Sequence, residues 1–394
     1  MNTATVHTAV KRYFLVSGLT ALFLLILLVT LNYVVDPYFI HQWDTKLIQR
    51  LSPAQQKIMP WVKTYAAYRY RPEVVYLGSS RAEIGLPTDS KVFKGKRVFN
   101  LALSGASLGD AVSMLNHTSF FHRPEIVVWG LDYGWQFREE AGNTDFTRTL
   151  VAHESFYPIR RTFLNVKRSV SMAMTVDTMK ILLGVSEQSC QSLLASYGQK
   201  TSQCLEPIMR NEGGTAKAFE EILKKRGPEA NPSDVAAALQ LFDRMTHDYC
   251  RNGTAFRFYM HPVHALAELS YWATRWRDLD NWKRALVHII DARRREGCDI
   301  RLVDFSGFNS ITTEDIPQIT GKEDMQNYWE HSHYRSEVGE KILERLMLPD
   351  QQEEADDFGV ELNGETIEQH LLDFHAERRQ YFIDHPRETR NMIP

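Results

Sequence analysis

The sequence predicts an α/β domain built on a doubly wound, mainly parallel five-stranded sheet. A helical insertion interrupts it and one transmembrane helix precedes it. Three observations lead there. Residues 13–35, YFLVSGLTALFLLILLVTLNYVV, carry no charge. Behind them, short runs rich in Val, Ile, Leu and Phe alternate with helix-like stretches, the pattern of buried parallel strands joined by crossover helices. That rhythm breaks between residues 140 and 250, where helix-like segments follow one another with little strand signal.

The uncharged run is 23 residues long, and about 20 suffice to cross a bilayer. Lys11 and Arg12 flank it on one side and Asp36 on the other. The positive-inside rule puts residues 1–12 in the cytoplasm and the main domain across the membrane. A cleaved signal peptide would have a shorter apolar region and a small-residue cleavage site. The flank NYVVDPYF offers none, so the anchor is expected to stay. Residues 36–70 read as a polar, aromatic-rich juxtamembrane connector.

The α/β domain is expected over residues 71–348. Its strands are VVYLG (74–78), RVFNLAL (97–103), EIVVWGLD (125–132), FRFYM (256–260) and DIRLVDF (299–305). Helices are expected over 107–121 and 279–297, the second with apolar residues at helical spacing and bases in its last turns. Within the insertion, Asn231-Pro232-Ser233-Asp234 is a start signal for the helix that follows. Residues 349–394 begin with an acidic linker, PDQQEEADD, and end in a helix expected to dock back.

Composition narrows the function. With 46 Lys and Arg against 49 Asp and Glu, net charge is −3, and no basic stripe supports nucleic-acid binding. The 8 Trp, 16 Tyr and 20 Phe run through the chain, against extensive disorder. Four cysteines fit an oxidising compartment, and no CxxC spacing or Cys/His cluster points to a metal. Cys250 and Cys298 each precede a strand. Those strands should be neighbours, so the two sulfurs are expected to bridge. Cys190 and Cys204 would close a second, shorter loop inside the insertion.

In a parallel sheet, ligands bind beyond the carboxyl ends of the strands. Past the first strand stand Gly78, Ser79, Ser80 and Arg81. Past the second come Ser104 and Gly105, with Asn100 inside the strand. Past the third comes Asp132, and past the fourth His261 and His264. After the fifth, YWEHSHYRSEVGEKIL (328–343) carries Glu330 and His333, read as the start of the last helix. Ser80 as nucleophile, His333 as its base and Glu330 as the orienting acid would make a catalytic triad. The backbone N–H groups of Ser80 and Gly105 would hold a developing oxyanion. Arg81, Asn100, Asp132 and His261 complete the candidate pocket. The competing readings are plain ones. Ser80 would be a helix N-cap, His333 a surface histidine, and His261 and His264 parts of a His-Pro turn. His331 would point elsewhere on the helix.

The order of these blocks resembles the SGNH/GDSL hydrolase superfamily over residues 71–348, the insertion excepted. Gly78-Ser79-Ser80 matches its Gly-x-Ser block and Gly105 in FNLALSGAS its second-strand glycine. Glu330-His331-Ser332-His333 matches Asp-x-x-His, with Glu for Asp. Gly130-Leu131-Asp132 matches Gly-x-Asn only in part. The anchor is similar to that of a branch comprising alginate-type polysaccharide O-acetyltransferases and the teichoic acid D-alanylation protein, where the first block often reads Gly-Ser-Ser. The resemblance implies a single-pass protein of a bacterial inner membrane with its main domain in the periplasm. It implies an acyltransferase or acylesterase acting on a cell-envelope or exported polysaccharide, with no cofactor and no metal. Implied partners are the polysaccharide, membrane lipid and a multi-span membrane acyltransferase that delivers the acyl donor.

Asp132 departs from that pattern, because an ionised Asp cannot donate to an oxyanion and would repel it. Either it turns away toward Arg81, or it is protonated, or the oxyanion relies on Ser80 and Gly105. The same residue favours an alternative, a catalytically weak accessory, scaffold or glycan-binding protein of a polysaccharide biosynthesis complex.

Overall fold

The computed structural model describes residues 3–38, 40–41, 59–134, 136–138, 151–152, 156–184, 196–211, 213–222, 231–316, 325–349, 357–390 and 392. Helix α1 (Thr3–Val35) contains the uncharged run. Its His7–Val35 portion is long and apolar enough to cross a membrane. The connector ends in α2 (Met59–Tyr70), most of which is buried against the domain.

Strand β1 (Val74–Leu77) feeds a short helix, α3 (Ser80–Gly85). Strand β2 (Val98–Asn100) leads to α4 (Leu108–Phe121), whose start is fixed by a capping box between Ser107 and Asp110. After β3 (Ile126–Leu131) come the helices of the insertion. These are α5 (Tyr157–Ser169), α6 (Met172–Leu182), α7 (Ser202–Asn211), α8 (Gly214–Ile222) and α9 (Pro232–Cys250). Helix α9 starts where the sequence signals it, with Asn231 accepting from Ser233 N and Pro232 in the first turn. Then follow β4 (Ala255–Met260), α10 (Ala265–Trp272), α11 (Trp276–Arg295) and β5 (Ile300–Asp304). A small hairpin, β6 (Tyr328–Glu330) with β7 (His333–Tyr334), precedes α12 (Ser336–Met347). The chain closes with β8 (Val360–Glu361) and α13 (Ile367–Asp384).

The main sheet has six strands in the order β2-β1-β3-β4-β5-β8. The five expected strands pair parallel, and β8 adds an antiparallel edge through Val303 opposite Glu361. The expected count of five omitted β8, which at two residues is too short to show a period. Every residue of β1 and the last three of β4 are buried, as befits parallel strands inside the sheet. Trp129, Tyr76, Tyr259, Phe256 and Phe258 fill the centre.

The expectation for residues 328–343 needs correction. Glu330 and His333 lie on the β6–β7 hairpin, and the last helix of that segment begins only at Ser336. The C-terminal element does dock back. Lys283 Nζ and His370 Nε2 lie 2.7 and 2.9 Å from the buried Asp304 carboxylate, and Arg284 holds Glu368. Cys250 and Cys298 are bridged with 5.5 Å between their Cα atoms, joining the end of α9 to the start of β5. Cys190, the expected partner of Cys204, lies outside the described residues.

Candidate active site

The site forms where the β1–α3 turn meets the β6–β7 hairpin. Gly78 turns the chain with φ of +142°, and Ser79 stands at the N-cap of α3 without capping it. Its hydroxyl donates instead to Asp132 Oδ2 at 2.6 Å. Ser80 is thus the first residue of the helix, half-buried, and not its cap. The backbone N–H groups of such a first turn have no intrahelical acceptor.

Close packing brings the hairpin to this turn. A Cβ on Gly85, at the end of α3, would fall 2.0 Å from the Tyr334 ring. Only glycine admits that approach, and it sets His333 over Ser80. The Ser80 hydroxyl lies 2.7 Å from His333 Nε2, and His333 Nδ1 is hydrogen-bonded to Glu330 Oε1. Since a carboxylate only accepts, Nδ1 carries the proton and Nε2 is the acceptor for the serine.

Glu330 is buried and closely held. Ser332 donates to its Oε1 through the backbone N–H at 3.2 Å and the hydroxyl at 2.8 Å. His331 Nδ1 stands 2.7 Å from Oε2. Burial alone would push this carboxyl up, but His333 and His331 outweigh it and hold it well below its usual range. The expectation that His331 points away is therefore corrected. On a hairpin turn, unlike a helix, residues two apart can flank one carboxylate.

Asp132 forms a buried ion pair with Arg81. Burial would raise its pKa, yet Arg81, His261 and the Ser79 hydroxyl together lower it. It is ionised and turned toward Arg81, whose Nε also donates to Ser332 O at 3.2 Å. Arg81 thus ties the serine turn to the hairpin as well as neutralising the aspartate.

His261 is buried against Gly130, where a Cβ would fall 2.3 Å from the imidazole. Its Nε2 is 3.6 Å from Asp132 Oδ2 and its Nδ1 3.2 Å from Tyr334 Oη. Burial pushes its pKa down to about 4, so it is neutral at pH 7. His264 takes the plain reading. It caps α10 by accepting from Leu266 N, and its Nε2 lies 2.7 Å from Glu314 O.

Asn100 is fully buried, and its amide bonds the backbone of Ala82, Glu83 and Ala102. It fixes α3 to the β2 loop. Gly105 is exposed, with φ of +70°, on the loop that follows. That loop is anchored by a pair the sequence reading missed. Glu83 accepts from Ser104 N and Oγ at 3.1 and 2.6 Å, and its other oxygen meets the buried Lys63 of α2 at 2.9 Å. Glu83 falls three residues after Ser80, but nothing in the sequence marks Lys63 as its partner.

Beneath the serine turn, Arg81, Asp132, His261, Glu268 and Lys283 line a narrow cavity of about 40 Å³. At roughly 10–15 Å³ each, a few waters fit there. Glu268 is 3% exposed and its carboxyl makes no hydrogen bond to another described residue. Burial, opposed by Lys283 and reinforced by Asp304, pushes its pKa up to about 7.

The arrangement is competent for nucleophilic acyl chemistry: a hydroxyl at a helix start, an imidazole to take its proton, and a carboxylate to hold the imidazolium. No family model and no curated protein matches the chain. One solved structure, from Streptococcus pneumonia and described as "a putative platelet activating factor", aligns with 75% of this chain and 92% of its own, at 10% identity and a TM-score of 0.33.

Proposed function

We propose that the protein is a membrane-anchored serine acyltransferase or acylesterase of the SGNH type, with a doubly wound sheet. It faces the periplasm of a bacterial inner membrane and acts on a cell-envelope or exported polysaccharide. The observation that carries this reading is the continuous chain from Ser80 through His333 to Glu330.

Ser80 Oγ attacks the carbonyl of an acyl donor as His333 Nε2 takes its proton. Collapse of the tetrahedral intermediate expels the donor's alcohol or thiol, which leaves with that proton, and an acyl-serine remains. A sugar hydroxyl, or water, then gives its proton to His333 and attacks the acyl-serine. Ser80 is released with a proton returned from the imidazolium. Glu330 stays ionised throughout and stabilises that imidazolium. The N–H groups of Ser80 and Gly105 serve the oxyanion. A multi-span membrane acyltransferase would supply the donor.

The accessory reading draws on Asp132. Its pairing with Arg81 removes a bare negative charge from the site, which supports acyl transfer over that alternative. The test is the ester content of exported polysaccharide in cells expressing the chain or Ser80→Ala. A changed content with the first and none with the second supports the proposal. Equal content with both overturns it.

A further inference from the structure

The exposed apolar side chains of the globular part are unevenly distributed. Ten of the seventeen large ones described outside α1 fall within residues 156–183, the α5–α6 pair. They form two stripes. On α5, Ile159, Phe163 and Val166 are 70%, 67% and 57% exposed; on α6, Met172, Val176 and Met179 are 74%, 48% and 42% exposed. Both follow the i, i+4, i+7 spacing of one helix face. The opposite faces are occupied. Arg161 and Arg168 lie over the rings of Tyr65 and Trp61. Asp177 accepts from Tyr38 at 2.8 Å.

The pair is seated on the end of α1. Asn32, 1% exposed, donates to Ser169 O at 2.9 Å and Thr175 Oγ1 at 3.0 Å, and accepts from Thr178 Oγ1 at 2.9 Å. Asn32 lies three residues before the end of the uncharged 23-residue run. At 1.5 Å per residue that run spans about 34 Å, slightly more than a hydrocarbon core of ~30 Å. The contacts to Asn32 therefore hold α5–α6 at the boundary between acyl chains and headgroups. Apart from Arg161 and Arg168, which are engaged with the Tyr65 and Trp61 rings, residues 156–184 carry three exposed bases, Arg160, Lys167 and Lys180, and one acid, the buried Asp177. That is the composition of a helix lying on an anionic surface.

We infer that α5–α6 is an interfacial membrane element whose exposed stripes embed in the outer edge of the same bilayer that α1 crosses. It would hold the domain at a fixed height above an anionic lipid surface. The inference rests on α1 crossing that bilayer.

The test is depth-dependent quenching in the full chain. No cysteine among the described residues is free, so an introduced thiol can be labelled selectively. Phe163→Cys and Val176→Cys would each carry an environment-sensitive fluorophore in vesicles of phosphatidylethanolamine and phosphatidylglycerol with quencher-bearing acyl chains. Leu25→Cys reports insertion of α1. Leu372→Cys, on α13 and 65% exposed, reports background. The inference predicts quenching at 163 and 176 severalfold above that at 372, together with quenching at 25. Quenching at 25 but only background at 163 and 176 overturns the surface contact alone. Background at 25 as well overturns it together with the anchor. Labels at 163 and 176 that become shielded only in native membranes, without lipid quenching, would assign the face to a protein partner and overturn the lipid contact.

Discussion

His331 Nδ1 stands 2.7 Å from Glu330 Oε2, on the side of the carboxylate that His333 does not use. The acid of the candidate triad is thus gripped from both sides, with Ser332 closing a third. His331 does not reach the serine and acts as a positioning residue. A close polar contact to a buried charge is worth up to the roughly 1.5–3 kcal/mol of a hydrogen bond to a charged group. His331→Phe should therefore lower kcat by about ten- to hundredfold with KM unchanged. His331→Gln, which keeps a donor, should recover most of the loss. An equal loss in both variants, tracking a loss of folded protein in thermal melts, would reduce His331 to a packing residue.

Asp132 yields a prediction opposite to the one its sequence context suggests. Were it a bare carboxylate in the oxyanion site, Asp132→Asn would raise ester hydrolysis. Paired with the buried Arg81, its loss leaves a guanidinium uncompensated, and breaking such a pair costs about 3–5 kcal/mol. Asp132→Asn should lower both the denaturant midpoint and the hydrolysis of a simple ester. A rise in hydrolysis with unchanged stability would contradict this arrangement.

Glu268 makes stability depend on pH. Its carboxyl is raised from 4.5 to about 7 in the folded chain. Between those values the folded state keeps a proton that the unfolded state has released. Its contribution is therefore fully present below about pH 4.5 and is lost as pH rises toward 7. The groups facing it are Lys283 and Arg81, which favour ionisation, and Asp304 and Asp132, which oppose it. Glu268→Gln should be more stable than the parent by about 3 kcal/mol at pH 8 and equal to it near pH 4. Urea titrations in detergent at the two pH values provide the comparison, and a variant less stable at pH 8 would show that the carboxylate has a partner there.

The five parallel strands were legible because each is a continuous buried run, a signal that needs no partner to be seen. The turn after the first strand was legible for the same reason, and so Ser80 could be named, while Glu330 and His333, beyond a loop, stood out by their Glu-x-x-His spacing. What escaped depends on contacts between distant segments. Lys63 and Glu83 are 20 residues apart, and nothing local to either reveals the pair, whereas Asp132 turning toward Arg81 was one of three arrangements the sequence left open. The hairpin at Glu330 and His333 was read as helix because two strands of three and two residues show no period, and the helical SEVGEKIL follows at once. Asn100 looked like a pocket residue by position, but the backbone of α3 takes up its amide.

The central claim is that Ser80 is a nucleophile activated by His333, and fluorophosphonate labelling of the purified full chain tests it most directly. The reagent modifies a serine in proportion to its activation, and loss of the base costs a triad on the order of 10⁴-fold or more in rate. The account predicts one adduct, mapped by mass spectrometry to the peptide containing Ser80, absent from Ser80→Ala and nearly absent from His333→Ala. An unlabelled parent chain, or an adduct that persists in Ser80→Ala, would contradict it.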